Sequence, residues 1–236
     1  MSQAADHYGT KTDTGAPRSG IGRSPRTCGI SGPDIPSPLL SAQLRAQTAP
    51  QHQQTEALLG FPDTIQTLAD YRLCLCKFLG LYRPLERSLA NFSEWDQHGF
   101  LLPSPNQNDC LAADLAVLGV EPASVLGAAP QLLPALPTFA HALGALYVLE
   151  GSRLGGRIIL RALEERIGPQ ISGATRFFGD RGTAVGQTWL TFKTALDAFG
   201  DTRPILRGDV VSGAKSVFLS MTAWFAPMDR ITGSRS

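Results

Sequence analysis

The residues with the clearest chemical potential are a histidine and a glutamate that stand one helical turn apart. His52 and Glu56 lie in a segment whose apolar or small residues at Leu44, Thr48 and Leu59 recur with helical spacing, so the histidine can point inward. Glu56 can accept a hydrogen bond from the imidazole Nδ1–H, which fixes the tautomer and leaves Nε2 available to a metal. The alternative is a histidine satisfied within the core or at the surface.

A second unusual feature is the glycine-rich segment at 144–156, GALYVLEGSRLGG. Its apolar residues recur with helical period, yet each glycine inside a helix costs about 1 kcal/mol relative to alanine. At 100° per residue, Gly144, Gly151 and Gly155 fall within about 40° of one another, so the helix has a stripe without side chains. The stripe predicts either a tight crossing with another helix or a flat ligand against bare backbone, over which the helix bends. The pair Gly155–Gly156 favours the ligand.

Length and charge restrict the class of protein. The chain has 236 residues, a net charge of +1 and 17% charged residues, which is typical of one soluble domain with a good-sized core. A charge near zero with no basic stripe argues against nucleic acid as the main partner. There is no run of about 18 apolar residues, so we expect no membrane span. The N-terminus lacks the apolar stretch of a signal peptide, and we expect a cytoplasmic protein.

Composition divides the chain into three parts. Residues 1–37 are rich in Gly, Ser, Thr, Pro, Asp and Arg and contain almost no large apolar side chains, which predicts a disordered N-terminal tail. Residues 38–228 form the predicted helical domain, and 229–236 form a short C-terminal tail.

Apolar periodicity and turn residues predict an all-α fold of six to eight helices without strands. The N-terminal cap of the second helix is expected at Asp63 or Thr64. The predicted helices run from about Pro38 to Leu59, from the expected cap to Phe92, from Asn108 to Leu118, from Ala135 to Ile167, from Thr183 to Phe199 and from Gly208 to Phe225.

Taken together, these motifs resemble a known family. The spacing of Leu44, His52 and Glu56 is similar to the proximal helix of heme oxygenases, and the segment LEGSRLGG at 149–156 is similar to their distal helix. The resemblance covers residues 39–226. Shorter motifs resemble bacterial members, in particular the branch that accompanies bacterial phytochromes: Phe177-Phe178-Gly179, Val185-Gly186-x-x-Trp189 and Phe192-x-x-x-Leu196.

The resemblance implies a single-domain bundle in which heme lies between the first helix and a kinked glycine-rich helix. His52 would bind the iron through Nε2, with Glu56 behind it. The implied reaction cleaves heme to biliverdin, carbon monoxide and ferrous iron, with O2 and external electrons, so that heme is both cofactor and substrate. The residues implied on the oxygen side of the heme are Gly151, Ser152, Gly155 and Gly156.

The resemblance also implies partners and charged contacts. A ferredoxin or a flavin reductase would supply electrons, and a bacterial phytochrome is a candidate recipient of the product. The heme propionates usually meet Lys or Arg in this family, and the candidates here are Arg45 and Lys193, with Arg153 and Arg157 as further ones.

One position departs from the family pattern. Many members have an aspartate directly after the first distal glycine, where this chain has Ser152. A hydroxyl group donates and accepts hydrogen bonds but carries no charge, so we expect a weaker or rerouted proton supply.

Two other classes of protein remain open. The chain could hold heme or biliverdin without turning it over, or it could be a helical interaction module in which the glycines serve packing alone.

Overall fold

Helix α1, Leu40–Leu59, opens the described part of the chain. The computed structural model describes residues 38–100, 102, 107–179 and 184–226, so the tails predicted at 1–37 and 229–236 lie outside the described residues. Ser41 anchors the start of α1, since its backbone amide and its hydroxyl donate to the Asp197 carboxylate at 2.7 and 2.9 Å. These bonds join residues 156 positions apart and fix where the first helix begins.

Helix α2, Leu68–Ala90, begins at a capping box and not at Asp63 or Thr64, where the sequence placed its cap. The Thr67 hydroxyl accepts from the amide of Asp70 at 3.1 Å, and the Asp70 carboxylate accepts from the amide of Thr67 at 2.9 Å. This reciprocal pairing satisfies two free amides of the helix start. Thr64 is not available as a cap, because its hydroxyl donates back to the last turn of α1 at 2.6 Å.

Six further helices follow, and the described residues contain no strand. They are α3 Gln107–Val117, α4 Phe139–Ser152, α5 Gly156–Ile167, α6 Arg176–Gly179, α7 Ala184–Thr202 and α8 Arg207–Phe225. The predicted all-α fold is confirmed, with seven long helices and the short α6 in the described part of the chain. None of the helices in that part is long and apolar enough to cross a membrane.

The glycine-rich segment is interrupted. The sequence predicted one helix from about Ala135 to Ile167, but α4 begins only at Phe139 and gives way to a 3₁₀ turn at Arg153–Gly155 before α5 starts. The prediction of a continuous helix is therefore wrong. The paired glycines at the end of the turn weaken the helix at this point, and a short 3₁₀ stretch within a helical run often marks a functional hinge.

Helix α8 lies between α1 and α4 and supports both. Each of them makes its most extensive contact with α8, whereas α1 and α4 barely touch each other. The α8 residues Val210, Ala214, Val217 and Phe225 are buried in the core. Since both helices pack on α8 and scarcely on each other, we infer a cleft between α1 and α4 with α8 as its floor.

The crossing of α4 and α8 depends on two glycines. A β-carbon at Gly144 would overlap the carbonyl oxygen of Val210 and lie 2.7 Å from the amide nitrogen of Ala214. A β-carbon at Gly213 would overlap the carbonyl oxygen of His141. Because these neighbours are backbone atoms, they cannot move aside unless the helices separate. Gly144 thus serves a tight helix crossing, the first of the two uses predicted for the glycine stripe.

Replacing Gly144 should separate these two helices. We expect Gly144→Ala to lower the free energy of unfolding by about 3 kcal/mol or more, the upper range for an overpacked core. Gly208→Ala on α8 is the matched control, since a β-carbon there meets nothing within 4 Å. Urea unfolding followed by circular dichroism measures both variants. Equal stability of the two would contradict the close crossing.

Candidate functional site

His52 is held by one ring nitrogen. Its Nδ1 lies 3.2 Å from a carboxylate oxygen of Glu56, so the predicted contact between the two residues is present. The ring packs edge-on against Phe218 of α8 with 5.7 Å between centroids, and 54% of the side chain is exposed. Glu56 occupies Nδ1, and Nε2 is therefore the nitrogen that can bind a further ligand.

Arg45 and Tyr147 approach each other across the cleft. Arg45 lies two turns before His52 on α1 and so on the same face of that helix. Burial raises the pKa of Tyr147 on α4, and the nearby Arg45 guanidinium opposes part of that rise. The cleft thus has a cation and a phenol hydroxyl on its opposite walls.

An aromatic group from α7 covers part of the α4 wall. The Trp189 ring stacks on Phe192 at an interplanar angle of 15° and lies 5.3 Å from the Tyr147 ring, centroid to centroid. A β-carbon at Gly151 would lie 3.5 Å from the edge of this indole, an ordinary contact distance. The ammonium of Lys193 stands 6.0 Å from the centre of the same ring. Gly151, Trp189 and Lys193 therefore lie in one region.

The two glycines at the interruption have different surroundings. A β-carbon at Gly155 meets nothing within 4 Å, whereas one at Gly156 would lie 2.6 Å from the carbonyl oxygen of Phe178. Gly155 borders open space, and the missing side chain of Gly156 is accounted for by packing against α6. Packing against α6 is sufficient to explain Gly156, and its place at the site stays a prediction of the resemblance.

The Ser152 hydroxyl belongs to a polar network at the end of α4. Its Oγ donates to the Leu149 carbonyl at 2.8 Å. The same carbonyl accepts from the side-chain amide of Gln107 at 2.9 Å, and that amide lies 3.5 Å from Ser152 Oγ. Burial raises the pKa of Tyr82 to about 12, and its hydrogen bond with Ser152 opposes the rise.

Glu86 ties this network to α3. Its carboxylate accepts from the backbone amides of Gln107 at 3.0 Å and Asn108 at 3.2 Å, the first amides of that helix. Burial raises the pKa of Glu86 from 4.5 to about 7 and Asp109 adds to the rise, while the two amides and Arg153 oppose it. The carboxylate therefore titrates near neutral pH.

A small cavity of about 80 Å³ adjoins these groups. Its polar lining comes from Glu86, Gln107 and Glu150, and the remainder is apolar. Arg153 lies 3.3 Å from a carboxylate oxygen of Glu150. A volume of this size has room for water beside these three polar side chains.

Tyr82, Glu86 and Gln107 were not predicted as site residues from the sequence. Tyr82 and Glu86 stand one turn apart on the apolar face of α2, and a carboxylate at that position was a readable signal of a buried polar contact. Gln107 gives no such signal, because its role depends on a carbonyl 42 residues away along the chain.

These features define an all-helical protein with an exposed histidine on one wall of a cleft and an interrupted glycine-rich helix on the other. The sequence profile described as Heme oxygenase matches residues 39–227, and the chain belongs to the heme oxygenase family. The predicted membership is thus confirmed, and it supports a heme-degrading function.

A solved structure agrees with this fold. The heme oxygenase of Neisseria meningitidis, determined in NO- and CO-bound forms, matches with a TM-score of 0.63. The match has 18% sequence identity and covers 85% of this chain and 96% of that chain. No curated protein matches the chain.

The raised pKa of Glu86 predicts a pH-dependent stability. Between pH 4.5 and about 7 the folded protein retains a proton that the unfolded chain releases, so this group makes stability fall as pH rises through that window. Glu86→Gln removes this contribution. We expect the stability of the variant relative to wild type to rise from pH 5 to pH 7.5, measured by urea unfolding at several pH values.

The control for that experiment is Glu165→Gln, the same change of charge at an exposed site of α5. A difference between Glu86→Gln and wild type that stays constant across the window would contradict a buried, neutral Glu86.

Proposed function

We propose that the chain binds heme in the cleft between α1 and the α4–α5 segment and cleaves it to biliverdin, carbon monoxide and ferrous iron. O2 and external electrons are the co-reactants. The single observation that carries the proposal is the His52–Glu56 pair on one wall of the cleft, in a member of a heme-degrading family.

His52 fits the role of axial ligand to heme iron. Glu56 holds Nδ1, which orients the ring and increases the basicity of Nε2. Within the described ranges, no three His, Cys, Asp or Glu side chains come together as ligands for a bare metal ion. A lone imidazole suits an iron whose in-plane ligands come from a porphyrin.

The opposite wall fits a flat ligand. A β-carbon at Gly155 would meet nothing, and one at Gly151 would meet only the edge of Trp189, so a macrocycle can lie against the backbone there. Heme, when bound, supplies the iron that activates O2 and is itself the substrate. The contribution of Gly151 and Gly155 is steric, because they present no side chain that blocks or redirects the reaction.

Ser152 fits the role of a water-orienting group. Its hydroxyl proton is directed to the Leu149 carbonyl, which leaves the oxygen lone pairs to accept from neighbours such as Gln107 and ordered water. Protons would then reach the cleft through water held by Ser152, which carries no charge of its own.

Arg45 and Lys193 are the groups that we assign to the heme propionates. Arg45 is exposed on the α1 wall and Lys193 is half-buried beside Trp189, so cations stand on two sides of the cleft. Arg153 is left out of this role because it lies against Glu150. The exposed Arg157 is a weaker candidate, since nothing described directs it toward the cleft.

A complete cycle needs an electron donor, for which a ferredoxin or a flavin reductase has the required chemistry. We also propose a cytoplasmic protein whose biliverdin passes to an acceptor such as a bacterial phytochrome.

One observation favours a second candidate function, a heme or biliverdin carrier without turnover. Ser152 carries no charge, and its hydroxyl proton is engaged by the Leu149 carbonyl. The α4 wall therefore has no charged side chain at this position to organise proton delivery. A carrier binds heme through the same His52 but does not degrade it.

The ligand assignment predicts the effect of removing the imidazole. His52→Ala should change the visible spectrum of the ferric heme complex, and added imidazole should restore it by occupying the vacated position. His141→Ala is the control, since the Nδ1 of that histidine lies 2.8 Å from the hydroxyl of Thr138, the residue before α4. Absorption titration with hemin checks both variants. A wild-type spectrum for His52→Ala without imidazole would refute axial ligation by His52.

A further inference from the structure

The backbone carbonyl of Leu149, in the last turn of α4, accepts from two side chains, those of Ser152 and Gln107. In a continued α-helix, the Arg153 amide would bond to the Leu149 carbonyl, but it is directed to Gly151 instead. The Leu149 carbonyl accepts from Gln107 of α3 at 2.9 Å, and Gln107 is 3% exposed. A buried side chain from α3 thus joins Ser152, which donates at 2.8 Å, in closing the last turn of α4.

The same helix also holds the segment beyond the interruption. Asp114, two turns after Gln107 on α3, accepts from the amides of Arg176 at 3.0 Å and Phe177 at 2.9 Å and so fixes α6. Phe178 is the following residue of α6, and its carbonyl lies against Gly156 at the start of α5. Because residues seven apart share a helix face, one face of α3 contacts the end of α4 directly and the start of α5 through α6.

Glu86 fixes the position of α3 in turn. The first amides of a helix have no partner within it, and here Gln107 and Asn108 donate theirs to the Glu86 carboxylate. Gln107 is therefore held by two elements. Its backbone amide donates to Glu86 of α2, and its side-chain amide donates to the Leu149 carbonyl of α4.

We propose that α3 is a brace that sets the bend at Arg153–Gly155, with Gln107 as the positioning residue, and that this bend determines which edge of the heme is cleaved. The inference rests on the proposed function for its second part only. The first part concerns the protein alone, because every contact in it joins residues of the chain.

The brace is tested first without heme, by hydrogen–deuterium exchange of the full chain. Gln107→Leu keeps the side-chain volume and removes the donor, and Gln107→Glu keeps the shape and replaces the donor with an acceptor. We expect the amides of residues 153–156 to exchange about tenfold faster in both variants, as for the loss of one buried hydrogen bond. Exchange in α8 should be unchanged.

Cys110→Ala is the matched control, because it removes only the sulfur of a buried side chain on the same helix and leaves the Gln107 side chain intact. Selective exchange at 153–156 in the Gln107 variants and not in Cys110→Ala supports the brace. Equal exchange there in wild type and in both Gln107 variants overturns it.

The second part is tested with heme by chromatography of the biliverdin isomers after turnover. The Gln107 variants should give a broader distribution of isomers, whereas Cys110→Ala should keep the wild-type distribution even if less product forms. Faster exchange with an unchanged distribution refutes the link to cleavage position. If the wild-type protein fails to bind hemin, the proposed function is refuted, and so is the claim about which edge of the heme is cleaved. The exchange result then tests the role of α3 at the bend by itself.

Discussion

The close approach of α4 to α8 is the contact on which the rest of the structure depends. Gly144 and Gly213 allow the two backbones to meet without side chains between them, and α1 packs on the same helix beside them. Both walls of the cleft therefore pack on the same helix, α8. The position of His52 relative to the interrupted helix follows from this shared floor, where Phe218 contacts the imidazole ring. A wider crossing would shift α4 away from α8 and change the space between the walls.

Glycine has two opposite uses in the segment 144–156. At Gly144 and Gly156 the absence of a side chain admits another backbone, that of α8 or α6, whereas at Gly155 it leaves open space. The segment is thus closely packed at Gly144 and at Gly156, and between them lies Gly155, where no neighbouring atom would meet a side chain. The polar contacts of α3 add to this arrangement, because Gln107 donates to the Leu149 carbonyl in the last turn of α4. A rigid bend with an open face is what a protein needs if backbone, and not a side chain, is to shape the reaction.

Local patterns predicted much of this architecture, and tertiary contacts account for the rest. The four-residue spacing of His52 and Glu56 was sufficient to predict their contact, and the glycines predicted a bend. The sequence could not separate Gly144 from Gly155, since they lie on one helical face and differ only in what approaches them. The cap of α2 was misplaced because the Thr64 hydroxyl closes α1 instead. Glu86 and Gln107 act on residues more than 20 positions away, beyond the reach of periodicity.

The central claim is that the cleft binds heme and that the bound heme is degraded. The most direct test is a titration of the purified chain with hemin, followed by ascorbate in air on the same sample, with the visible spectrum recorded throughout. We expect a Soret band that saturates at about one heme per chain and then bleaches as a biliverdin absorption appears. A saturated Soret band that survives both ascorbate and a ferredoxin or flavin reductase system would contradict turnover, and absence of saturable binding would contradict the heme site itself.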